Sequence, residues 1–115
     1  MSAARGGGQG REQVIDEFHA CVNLTPSQLE EWLRTDAARE AGQHGDGGES
    51  VGHASGRRIV DLLRTKEKDL SDDDVAHMRK VVGYVHRHLA QRPRGDVTDT
   101  PWRHSLMNWG HDPQR

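Results

Sequence analysis

From Arg11 onwards the apolar residues of this chain return at every third or fourth position, and nowhere do they alternate over a useful length. That rhythm fits the 3.6-residue turn of an α-helix and not the two-residue pleat of a strand, so it restricts the chain to helices packed on one another. Val14, Ile15, Phe18, Cys21 and Val22 make the first stripe, and Asn23, able to take a left-handed backbone, predicts its end. A second helix starts at an N-cap Thr25 followed by Pro26 and a Gln28 that completes a capping box, with Leu24 and Leu29 as a hydrophobic staple. Leu29, Trp32 and Leu33 form its apolar face, and it is predicted to end near Arg34, with room for a further turn through Ala41 before Gly42.

Residues 42–50, GQHGDGGES, hold four glycines and read as a loop, because glycine loses the most backbone freedom on ordering. A third helix is predicted after Ser50, with Val51, Ile59, Leu62 and Leu63 in the core. The fourth carries the clearest pattern. Ser71 caps it, Asp72, Asp73 and Asp74 suit the positive end of the helix dipole, and Leu70 and Val75 repeat the staple. Val75, Met78, Val82, Val85 and Leu89 then share one stripe, and Pro93 sets the limit. A last short helix is predicted from Pro101 to about Asn108, capped by Thr100 and stopped by Gly110 and Pro113, with Trp102, Leu106 and Trp109 on its inner face. The expected fold is all-α: one small bundle of four to five short helices over residues 11–113, behind a flexible glycine-rich tail at residues 1–10.

Only 32% of the 115 residues are hydrophobic while 30% are charged. Stability then leans on a few large side chains, foremost Trp32, Trp102 and Trp109, each able to bury roughly 150–250 Å². The single cysteine, Cys21, allows no internal disulfide and fits a reducing compartment. The first residues lack the apolar segment of a secretory signal and no run is long enough to span a bilayer, so a cytoplasmic protein without a membrane partner is expected.

Charge is unevenly placed. Residues 1–56 hold four Arg against nine Asp and Glu, whereas residues 57–115 hold twelve Lys and Arg against nine acids. On the fourth helix Arg79, Lys80, Gly83, His86 and Arg87 cover the side away from the apolar stripe. Arg92 and Arg94 continue just beyond it, Arg57 and Arg58 lie on the third helix, and Arg103 on the last. Brought together, these cations make a surface for phosphates; scattered, they merely keep helices soluble.

The stretch GDGGESVGHASGRR offers a second candidate. Backbone N–H groups at a helix start attract anions, which points to Gly52, His53, Ser55 and Gly56. The competing reading is that Gly52 and Gly56 let another helix approach closely, with Gly83 as the natural partner. Eight histidines are present, yet His86 and His88 point about 200° apart on a helix and no HExxH or Cys/His cluster exists, so neither a metal nor a cofactor is expected. Cys21 falls on an apolar stripe, where a thiol is inert. The segment WRHSLMNWGHDP either caps the core or anchors a partner through exposed Trp102 or Trp109.

The stretches VNLTPSQLEEWL, GESVGHASGRRIV, HMRKVVGYVHRHLAQRP and SLMNWGHDP closely resemble those of a bacterial and fungal family, domain of unknown function 3140, over about Val14 to Pro113. Members are often labelled DNA-binding proteins, and the resemblance brings no catalytic residues with it. The reading that follows is a non-enzymatic, DNA-associated helical protein whose Arg57, Arg58, Arg79, Lys80, Arg87, Arg92, Arg94 and Arg103 contact phosphates. The alternatives are a protein-interaction module and, behind it, an enzyme or metal protein using histidines around His53 and His77.

Overall fold

The computed structural model describes residues 10–41 and 49–115. The predicted tail and most of the predicted glycine-rich loop, residues 1–9 and 42–48, lie outside the described residues.

Among the described residues there are six α-helices and no strand: α1 (Arg11–Cys21), α2 (Pro26–Leu33), α3 (Asp36–Glu40), α4 (Val51–Leu63), α5 (Asp72–Leu89) and α6 (Pro101–Asn108), with a 3-10 turn at Glu67–Asp69. The count exceeds the expected four to five because the segment read as a further turn of the second helix has its own cap. The Thr35 hydroxyl accepts the Ala38 N–H and starts α3 on a new axis. The other helix starts stand where the cap residues put them. Thr25 and Ser71 form full capping boxes with Gln28 and Asp74, and Ser50 and Thr100 accept the N–H of His53 and Arg103.

The core gathers Phe18, Leu29, Ile59, Met78, Val81, Val85, Val97 and Leu106, all fully buried. Val51, expected inside, is 67% exposed: it is the first residue of α4, so its side chain lies beyond the packed part of the helix. Asn23 is not left-handed either, since no residue other than glycine has a positive φ among the described residues. Its side chain instead donates to the Asp112 carbonyl at 3.0 Å and accepts the Asp112 N–H at 2.8 Å.

α1 packs along α5 and α2 along α4, while α6 touches α2, α3, α4 and α5 and joins the two pairs. Two glycines permit this. A Cβ at Gly56 would stand 2.5 Å from the Asn108 carbonyl oxygen and 2.8 Å from Leu33 Cδ2, and one at Gly52 would stand 3.1 Å from Trp109 Nε1. The close approach is therefore to α6 and α2, not to Gly83, where an added Cβ would meet only the Arg87 side chain.

Asn108 is the polar hub of that contact. It is buried, accepts the Trp32 indole N–H at 2.7 Å and donates to the Ala38 carbonyl at 2.9 Å, tying α2 and α3 to α6. On the α5 side the helices are joined by near-parallel rings: His77 on Trp109, Trp109 on Tyr84 at 4.2 Å between centroids, Tyr84 on His88, and His88 on Trp102. Arg92 closes the row over Trp102, 5.3 Å from the ring centroid. His88 Nε2 and Trp102 Nε1 each donate to the other's backbone carbonyl.

The chain end is latched onto the α1–α2 junction. Asn23 and Leu24 donate their N–H groups to the Gly110 carbonyl, and His111 Nδ1 donates to the Cys21 carbonyl at 2.7 Å. Gly110 has φ +84°, the left-handed geometry that ends α6 and turns the chain into this contact.

Candidate nucleic-acid interface

The eight cations expected to meet phosphates divide into two groups. Arg57 grips the Glu49 carboxylate through two bonds of 2.8 and 2.7 Å. Arg58 donates to Asp73 at 2.9 Å and Asp74 at 3.2 Å. Arg103 holds Asp112 bidentately at 3.0 and 2.9 Å and donates to the Thr98 carbonyl at 2.9 Å, with both charged groups largely out of water. These three arginines are neutralised within the fold. The second group, Arg79, Lys80, Arg87, Arg92 and Arg94, is exposed on α5 and the segment after it. Among the described residues no carboxylate forms an ion pair with Lys80, Arg87, Arg92 or Arg94.

α5 sorts its side chains by turn geometry. At about 100° per residue, Arg79, Lys80 and Arg87 share one arc with the small residues Ala76, Gly83 and Ala90, away from the buried Met78, Val81 and Val85, while His86 falls about 20° from the buried Val75, at the edge of the apolar stripe. No Asp or Glu occurs from residue 75 to residue 95. That acid-free run leaves α5 beyond its first turn, and the segment after it, without a carboxylate of its own, and it was countable in the sequence.

The anion site expected at the start of α4 is occupied by the chain itself. Ser50 Oγ takes the His53 N–H at 3.0 Å. The His53 ring lies between the Leu33 carbonyl, 2.7 Å from Nε2, and the Glu49 carboxylate at Nδ1. Glu49, held first by Arg57 and then by His53, has its pKa lowered to about 2. Ser55 is buried and hydrogen-bonded to His77 Nε2 at 3.0 Å, while Gly52 and Gly56 serve helix packing. All four predicted residues are thus committed to internal contacts, with Glu49 as the resident anion.

The partner-anchoring role expected of exposed Trp102 or Trp109 is corrected by burial: the two are 8% and 4% exposed, inside the ring stack. Cys21 is buried, and burial followed by the charge of Glu17 pushes its thiol pKa up, which disfavours the reactive thiolate. No described helix is long and apolar enough to cross a membrane.

A family model described as a protein of unknown function (DUF3140) matches residues 17–107. No curated protein and no solved structure matches the chain.

Proposed function

This chain belongs to the DUF3140 family of proteins of unknown function, and we propose that it binds DNA through backbone phosphates on the solvent face of α5 and the segment that follows. The observation that carries the reading is the run from residue 75 to residue 95, which holds Arg79, Lys80, Arg87, Arg92 and Arg94 and no acid. Ala76 and Ala90 are exposed small residues between these cations, and the Arg87 guanidinium lies over Gly83. The DNA-binding role that the resemblance described above implies agrees with this. Arg103 drops out of the interface, because its pair with Asp112 is nearly buried, and Arg57 and Arg58 bring their acids Glu49, Asp73 and Asp74 with them and so add little net charge. Base reading has no evident instrument here, so the recognition is of charge and shape.

A salt titration of duplex binding, followed by fluorescence anisotropy, tests the proposal. Four to five phosphate contacts predict a fall in affinity on the order of a hundredfold between about 50 and 200 mM salt. Lys80→Ala with Arg87→Ala flattens the logarithmic slope by about two, whereas Arg57→Ala changes affinity by less than about twofold. Binding that ignores salt, or no binding at low salt, rejects the reading.

A further inference from the structure

The cations of α5 attract duplex and single-stranded DNA alike, and the packing of the aromatic rings separates the two. Proteins that hold single strands combine a cationic groove with aromatic side chains on which successive bases stack. This chain has five Phe, Tyr and Trp residues, and all five are among the described residues. Phe18, Trp102 and Trp109 are buried. The Trp32 indole is tied to Asn108, and its ring lies against His104. Tyr84 is stacked on both Trp109 and His88. The guanidinium of Arg92, another flat surface beside α5, lies over Trp102. The rings that would serve as base platforms are thus spent on holding α5 and α6 together.

Rigidity points the same way. Lys80 and Arg87 stand seven residues apart on one helix, a rise of about 10 Å. The opposite face of that helix is fixed in the core through Met78, Val81 and Val85. Cations at a set spacing suit phosphates at a set spacing. A duplex presents such phosphates, and at high charge density, whereas a single strand gives up conformational freedom to match them.

We infer that the partner of α5 is double-stranded DNA, selected over single strands by charge density and rigidity; this rests on the proposal that α5 binds DNA.

Fluorescence anisotropy with two labelled probes tests it: a mixed-sequence duplex of about 20 base pairs and one of its own strands, each titrated from about 50 mM to about 1 M salt. Tryptophan emission is read in parallel. Four phosphate contacts give logarithmic salt slopes of about −3.6 for the duplex and about −2.8 for the strand. From equal affinity at about 1 M salt, that difference makes the duplex about tenfold tighter at about 50 mM. Indole emission should stay unquenched with either probe. A single strand bound as tightly as the duplex, or one that quenches the indoles, overturns the inference and leaves salt-dependent DNA binding in place. Binding of neither probe rejects DNA binding through α5, and this inference with it.

Discussion

Gly56 and Gly83 each sit inside a helix, and the same substitution at the two positions acts in opposite directions. At Gly56 an added methyl group meets the Asn108 carbonyl at 2.5 Å, a backbone atom fixed by α6. Gly56→Ala should lower stability by about 1–2 kcal/mol, the overpacking cost exceeding the helix-propensity gain. At Gly83 it meets only the tip of Arg87 at 3.0 Å, which swings aside, so Gly83→Ala should raise stability by about 0.5–1 kcal/mol. Urea denaturation of both variants checks the pair of signs. Helical periodicity placed both glycines on helices, but which one touched a neighbour depended on a crossing that no local pattern encodes. Glu49 adds a second residue-scale expectation. Its pKa is about 2 in the fold against an ordinary 4.5, so its contribution is complete above about pH 4.5 and disappears as pH falls toward 2. Glu49→Gln should therefore lower stability at neutral pH and flatten the acid limb of a stability–pH curve in that window. An unchanged acid limb would show that Glu49 is not held by Arg57 and His53.

α5 is the element on which structure and function meet, because it carries three kinds of face. Its valines and Met78 fill the core, its cations face solvent, and His77, Tyr84 and His88 stack with the tryptophans of α6. The apolar stripe and the cationic face were both legible from 3.6-residue spacing. The ring stack was not, since it interleaves side chains from two helices. Both histidines have lowered pKa values, His77 through burial and then Arg58 and Lys80, His88 through burial. A lowered folded pKa means that the unfolded chain takes the proton first. These residues therefore cost stability as pH falls through about 6.5. His77→Gln, which keeps a partner for Ser55, should reduce the loss in melting temperature between about pH 7 and pH 5. An identical loss in the variant would remove His77 as its source.

At the scale of the molecule, the last residues hold the first helices in place. Arg103 and Asp112, 18% and 10% exposed at the side chain, fix the turn that carries Gly110 and His111 to the α1–α2 junction. Arg103→Ala strands a nearly buried carboxylate and should cost about 3–5 kcal/mol, while Arg103→Met with Asp112→Leu should recover most of that. Thermal melts of the single and double variants distinguish a lost latch from a lost charge balance. The sequence by itself determined α1, α2, α4, α5 and α6, though not α3 as a separate helix, since caps, staples and apolar spacing act within about four residues. It also determined the acid-free run on α5, which is a matter of counting. Only the tertiary structure decided which arginines remain available to a phosphate. Arg58 and Arg103 meet acids 15 or 16 and 9 residues away, and Arg57 turns back 8 residues to Glu49. Such pairs form where the chain folds back on itself, which no local pattern of the sequence encodes.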